Sequence, residues 1–515
     1  MARRAALRAG GASFAPELDT GRKTVRVLLA KNATEFEGGS SGTRRTVGWH
    51  APTSSPNSGV LSNLTTLRDR SRAAKRNDGY SAGTIEKLVS NIVGTGIQPQ
   101  SQAEDPAFRA AADRLFRKWT DESDADGLLD FYGQQTQAVR GWLEGGEEFV
   151  RFRFRDSGDG LSVPLQLQLL EPELCPHTHT RAFGPTKIRA GIEFNAIGKR
   201  VAYYFHPSRP EVDDFDASQL RRIPADQVIH LYDPLRAGQL RGLPHLTQAL
   251  VELHELSKYR DAQLLRQQLA TMFVAFVKQD ARTEPVEAVN PLTGTTVETS
   301  SSDEPMVPLA PGLFQQLDPG QEVQFSDPPE PQGYADFMRQ QLYGVAAATS
   351  VPYEVITGDM RNVNDRTVRL ILQEFRRRIQ AWQHQIVVFQ LCRRVWRAWM
   401  DRAVLAGALS APATYWTNPD PWVAVDWKPQ GWPYMNPLQD VQAAILEMRA
   451  GLASRTGKVA ERGDASDAID AENAADNARA DTLGLEYDSD GRNAYGSAAG
   501  AQSEPDAAQS PVAQP

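Results

Sequence analysis

The sequence predicts an α+β fold. Between residues 150 and 232, short stretches alternate apolar and polar side chains, the period of half-buried strands. On either side the apolar residues recur every three or four positions, the period of a helix face. The most pronounced such face lies in 366–406, which contains neither Gly nor Pro. Strands grouped between runs of helix, rather than alternating with them singly, indicate a sheet packed on helices.

The elements follow in order. Residues 1–60 read as a basic, flexible N-terminal arm, jointed at Gly38-Gly39-Ser40-Ser41-Gly42. Residues 64–93 are helical, broken by Gly79 and Gly83 and stopped at Gly94-Thr95-Gly96. Helices follow at 106–119 and 130–143, the first entered through Asp105-Pro106 with Pro at the first helical position. The strands are 150–155, 165–169, 188–194, 201–206 and 227–232. Residues 245–277 return to helix, unusually polar in its second half. The Pro-rich, acidic stretch 280–332 has no core of its own and holds only short strand-like pieces such as 322–325. A helix at 334–348 stops before Val351-Pro352, and 357–365 leads into the long helix. There Val368, Leu372, Phe375, Ile379, Trp382, Ile386, Phe389, Cys392, Trp396, Trp399 and Ala403 form one stripe. At 1.5 Å per residue this helix would span roughly 60 Å. Its opposite face carries arginines, Arg376 among them. Residues 411–437 are an irregular connection rich in Trp and Pro, and 438–450 is a last amphipathic helix.

A chain of 515 residues is long enough for two to four structural units. It holds no apolar run of membrane-spanning length, and its basic N-terminus is not followed by an apolar signal core. Two cysteines, Cys175 and Cys392, make no disulfide scaffold and suit a reducing cytoplasm. The formal charge of −8 is unevenly placed. Residues 464–515 hold 11 Asp/Glu against 2 Lys/Arg, whereas residues 1–80 hold 14 Lys/Arg against 6 Asp/Glu. A basic arm and an acidic tail flank a near-neutral body. The tail has too few large apolar residues to offset its ordering entropy and is expected to be disordered.

Catalytic patterns are scarce. There is no Gly-x-x-x-x-Gly-Lys-Ser/Thr phosphate loop and no His-Glu-x-x-His. Gly38–Gly42 matches Gly-x-Ser-x-Gly in letters but lacks the strand and helix that a nucleophile elbow needs. Cys175, His177 and His179 have strand spacing but no fourth ligand. No catalytic residue, metal site or cofactor is expected.

Several short pieces occur in a specific order. They are Leu67-Arg-Asp-Arg-Ser-Arg-Ala-Ala-Lys-Arg-Asn-Asp-Gly-Tyr80, Ile92-Val-Gly-Thr-Gly-Ile-Gln-Pro99, Gly145-Gly-Glu147 and Leu169-Leu-Glu-Pro172. Then come Gly191-Ile-Glu-Phe194, Ile223-Pro-Ala225, His230-Leu-Tyr-Asp-Pro-Leu-Arg-Ala-Gly-Gln-Leu-Arg-Gly-Leu-Pro244, Val351-Pro-Tyr-Glu354, Gly358-Asp359 and Arg449-Ala-Gly-Leu-Ala453. From about residue 60 to 465 the chain resembles the portal proteins of tailed bacteriophages, lambda type. It departs before Arg366, where Val363-Asn364-Asp365 replaces the small-residue stretch usual in that family.

The resemblance implies a portal-like α+β subunit: an arm at 1–60, a wing at 61–240, a first stem helix at 241–279, a clip at 280–332 and a second stem helix at 333–350. A tunnel-loop region at 351–366, a long bracing helix at 367–409, a helical crown at 410–463 and the acidic tail at 464–515 complete it. Copies would form a ring, commonly of twelve, around a channel for double-stranded DNA held without sequence specificity. The implied role is genome packaging, retention and ejection at one capsid vertex, in a virion assembled in the bacterial host cytoplasm. Implied partners are the large terminase subunit, the major capsid or scaffold protein and head–tail connector proteins, with no membrane. Arg361, Asn362, Asn364 and Arg366 become the DNA-channel candidates. Phe375, Ile379, Trp382, Ile386, Phe389, Trp396 and Trp399 become the structural core of the long helix. The alternatives are an oligomeric scaffold or adaptor without a DNA channel, and a packaging enzyme, which would require a phosphate loop and paired carboxylates.

Overall fold

The computed structural model describes residues 53–271 and 333–485 apart from 183–185, 209–215, 217–218, 362 and 433–435, together with isolated positions and the strand pairs named below. Two compact units are distinguished, Met1–Gly59 and Val60–Pro515. In the first, Glu17–Asp19 pairs antiparallel with Thr24–Arg26, a ladder that the basic composition did not announce. Among the described residues no helix is long and apolar enough to cross a membrane.

The second unit opens with the helices Leu64–Asn77 and Gly79–Ile92. The break is made by Asp78, whose extended backbone lets its carboxylate accept from Ser81 N at 2.8 Å. Gly83, expected to interrupt, lies inside the second helix. The helices Pro106–Thr120 and Phe131–Gly145 start the same way, with Asp105 and Asp130 accepting from first-turn N–H groups. These carboxylates satisfy donors that a helix start leaves open.

Two antiparallel sheets follow, the first packed on the helix Phe131–Gly145 and the second on the first, where Ile192, Tyr203, Phe205 and Ile223 meet Phe149 and Val228. In the first the order is Val228–Tyr232, Glu147–Phe154, Leu165–Leu170. In the second it is Lys187–Arg189, Ile192–Phe194, Arg200–Phe205, Arg221–Pro224. The stretch expected as one strand at 188–194 is a hairpin. Ala190 and Gly191 both have positive φ, 52° and 80°, and the chain reverses there. A side chain on Gly191 would approach Cys175 Sγ to 2.8 Å and Pro176 O to 2.9 Å, so this turn admits only glycine. A further pair, Gln98–Ser101 with Val425–Lys428, joins positions more than three hundred residues apart, from the stretches assigned to wing and crown.

The long helix is continuous from Asp365 to Leu405, but its turn size changes. Gln383–Cys392 is π-helical, and Arg393 N–H reaches back five residues to Val388 O. Each π turn takes one extra residue, so the stripe slips across this segment. Phe375, Ile379, Trp382, Ile386, Trp396 and Trp399 are buried, as the stripe requires. Phe389, assigned to the same core, is 61% exposed, and Val387, Val388 and Leu391 occupy the interior instead. Below the slip, Trp396 and Trp399 meet Phe116 with ring centroids 5.1 and 4.9 Å apart. Arg376 does not project freely, because its guanidinium lies 5.3 Å over the Trp432 ring. Gln390 bonds both ways with Tyr232, accepting from its N–H at 3.1 Å and donating to its carbonyl at 3.0 Å.

Two more expectations change. The helix expected over 245–277, the first stem helix of 241–279, runs from Leu250 to Thr271 after one 3-10 turn. Ala275–Gln279 is a strand paired with Gln321–Phe325. Its aromatic and β-branched residues, Phe276 and Val277, favour that conformation. Most of the clip assignment, 280–320, lies outside the described residues. The tail expected to be disordered from 464 contains a helix, Ser466–Leu483. Alanines recur through it, Asp467 sits in its first turn, and Gly484 closes it at φ 65°. Alanine is the strongest helix former, so local propensity prevails where burial could not.

Candidate functional site

The sequence-derived candidates cluster at the loop between Tyr353–Thr357 and the long helix. The short helix ends at Gly358, φ 73°, a left-handed cap. Beneath it Ile356 is buried, and Lys87 Nζ donates to the carbonyls of Val355 and, at 3.0 Å, of Ile356. The loop is thus tied to the core at its root.

Asp359 organises the exposed part. Its Oδ1 accepts from Arg361 N at 3.1 Å and Nε at 2.9 Å. Its Oδ2 accepts from Arg361 Nη2 at 2.9 Å, Tyr353 Oη at 3.1 Å and Arg339 Nη2 at 3.4 Å. The hydrogen bonds from Arg361 hold this carboxyl well below the usual range. Arg361 therefore stands exposed but oriented, in a loop whose charges balance. Asn364 accepts from Thr367 N and Oγ1, both at 2.9 Å, and is the N-cap of the long helix. Arg366 is exposed in that helix's first turn. Asn362 lies outside the described residues.

A second constellation was not singled out from the sequence. Glu147 is fully buried at the start of its strand and accepts from four groups: Arg68 Nη2 at 2.9 Å, Arg241 Nε at 2.7 Å, His230 Nε2 at 2.8 Å and Gly242 N at 3.0 Å. Arg241 Nη2 completes the ion pair at 2.6 Å. Burial opposes its charge, but Arg241, His230 and Arg68 outweigh that and hold the carboxyl well below its ordinary range. Burial lowers His230 to about 4, so the ring is neutral. Its Nε2–H donates to Glu147, which leaves Nδ1 to accept from Arg200 Nη1 at 3.2 Å. Two glycines permit the approach. A Cβ on Gly242 would fall 1.9 Å from Gly146 O, and one on Gly146 would fall 2.5 Å from Leu243 C. Gly145-Gly-Glu147 and Arg241-Gly-Leu-Pro244 were visible as short pieces; their convergence across 94 residues was not. The arrangement links the two sheets, since Arg241 also donates to the Ala190 carbonyl and Arg200 to His230. Of the residues weighed as metal ligands, Cys175 is buried and its thiol faces Gly191 O at 3.9 Å, while His179 packs 5.0 Å from the Tyr204 ring.

Comparison with known proteins places this arrangement in context. A family model described as phage portal protein, lambda family, matches residues 42–383. The probable portal protein of Halomonas phage phiHAP-1 is 26% identical over 418 residues, covering 77% of this chain and 76% of that protein. Portal protein B of Escherichia phage lambda is 21% identical over 472 residues, covering 83% and 86%. Among solved structures, a chain from the neck of a native gene transfer agent particle, computed with C12 symmetry, is 13% identical with a TM-score of 0.41. That match covers 79% of this chain and 94% of the other.

Proposed function

The chain belongs to the lambda family of phage portal proteins, and from that premise we propose that its copies close into a ring, commonly of twelve, around a channel for double-stranded DNA. The observation that carries this reading is the match of the family over residues 42–383, which spans every element from the first helices to the long helix. The ring sits at one capsid vertex and serves packaging, retention and ejection of the genome. It docks the large terminase subunit during filling and head–tail connector proteins afterwards, against the major capsid or scaffold protein. Its work is mechanical rather than enzymatic.

In this reading the loop 357–366 faces the channel. Arg361 and Arg366 are the DNA contacts, and Asn364 contributes by capping the helix that presents them. A channel in which DNA slides needs phosphate contacts that are weak and indifferent to sequence. A charge-balanced loop with arginines foremost suits that requirement, since Asp359 both orients Arg361 and tempers its field. The Pro-rich 280–332 segment exchanges contacts between neighbouring copies, a heterologous arrangement that closes when the rotation permits.

Electron microscopy of the purified full-length protein tests the reading. The expected image is a closed ring with a central hole about as wide as a DNA duplex. Monomers at every concentration, or open filaments, would overturn it.

A further inference from the structure

The four-stranded sheet carries a basic cavity that the portal reading does not use. Period-two alternation puts Lys187 and Arg189 on the exposed face of their strand, with Ile188 buried on the other. The register sets Lys187 opposite Phe194, and Phe194 opposite Arg200, so cation, ring and cation form a lateral row across three strands. The loop after Tyr232 folds over the end of this row and adds Arg236. Together they enclose a cavity of about 870 Å³. Four cationic side chains line it, and among the described residues no carboxylate does.

Arg200 is fixed in place. Its Nη2 donates to Tyr232 Oη at 2.6 Å, its Nη1 to His230 Nδ1 at 3.2 Å, and its guanidinium lies 5.6 Å over the Tyr232 ring. All these partners are neutral, so the charge is positioned but not cancelled. The cations of the strand row, Lys187, Arg189 and Arg200, lie close together, and like charges so placed repel unless an anion enters.

We propose that this cavity binds an acidic peptide segment of a partner protein, carboxylates on the cations and apolar side chains against Phe194. Guanidinium groups take carboxylates bidentately, and the volume falls within the roughly 300–1,000 Å³ of ordinary ligand sites. A nucleic-acid strand fits less well. Strand-binding grooves stack successive bases on several rings. Here Phe194 is the one ring of the row, because Tyr232 is buried under Arg200. The remaining lining is alanine, proline, leucine and glycine with two amides, suited to side-chain methylenes.

Fluorescence anisotropy on the full-length protein tests the site, with a labelled Glu-Leu-Glu-Glu-Leu-Glu peptide as probe. Saturable binding that weakens with salt is expected, and none with the Gln-for-Glu peptide. Lys187→Glu with Arg189→Glu should weaken binding about tenfold or more, through loss of two charge-assisted contacts. Lys199→Glu, in the adjacent turn but outside the lining, should bind as the parent. Arg189→Ala alone should weaken binding several-fold with an unchanged melting temperature, which separates loss of contact from loss of fold. No binding to the parent, or equal binding by the double reversal, would overturn the proposal. A ten-nucleotide oligothymidylate that displaces the peptide at lower concentration would also overturn it and mark a phosphodiester site.

Discussion

Glu147 and Arg241 lie out of water with every strong donor and acceptor matched. Removing one partner from such a set strands the others, at a cost of roughly 3–5 kcal/mol. Arg241→Ala should therefore lose most of its folded fraction in chemical denaturation. Arg361→Ala, whose ion pair with Asp359 is at the surface, should melt with the parent. His230 adds a pH dependence. The folded chain holds it neutral down to about 4, whereas the unfolded imidazole titrates near 6.5. Between those values the unfolded state binds more protons, so stability is lost as pH falls from about 6.5 toward 4. Glu148 acts oppositely, since burial holds its carboxyl well above 4.5 and its contribution is lost as pH rises. His230→Gln isolates the first effect. Its denaturation free energy, measured from pH 7 to 4, should fall less steeply than the parent's; parallel profiles would show that the ring titrates alike in the folded and unfolded chains.

At the scale of elements, the long helix separates what a periodic pattern can and cannot specify. Trp396→Ala should cost roughly 3–5 kcal/mol, because its indole is buried against Phe116, Trp399 and Trp427. Phe389→Ala should cost no more than about 0.5 kcal/mol, as for a surface position. Arg376→Ala should cost about 0.5–1 kcal/mol through its contact with Trp432. Equal losses in urea titrations for all three would contradict the register of the π segment. The stripe was legible because every buried residue at constant turn size follows one period. It failed at Phe389, where the turn size changed and no local residue announced it. Ala275–Gln279 was read as helix because absence of Gly and Pro outweighed a Phe-Val-rich run. The pairing of Gln98–Ser101 with Val425–Lys428 depends on residues too distant for any local pattern.

For the whole molecule, the order of short pieces conveyed the family, while the loop's internal wiring needed coordinates. Arg361 and Arg366 were named from the sequence, but Asp359's grip on Arg361 and the capping role of Asn364 were not, because both depend on backbone direction. Arg361→Ala with Arg366→Ala should leave rings unchanged by electron microscopy. Filled heads built with that variant should lose DNA more readily, with the difference shrinking as salt rises and phosphate contacts weaken in parent and variant alike. Retention equal to the parent at low salt would remove this loop from the DNA path. Within the acidic tail, Ser466–Leu483 was misjudged, because composition forecasts burial and says little about an alanine helix that needs none.

The side chain of Gln390 has one more effect. Val228–Tyr232 is the outermost strand of its sheet, and Tyr232 would otherwise offer an open N–H and carbonyl there. Such margins are templates onto which a stray strand from another molecule can add, the first step of amyloid-like stacking. The amide of Gln390 imitates a neighbouring peptide group and occupies that position. Gln390→Leu should consequently fold yet become prone to clumping on mild warming, seen as rising light scattering below the melting temperature. The hazard grows with the local concentration of such margins, so the plug matters most where chains are crowded.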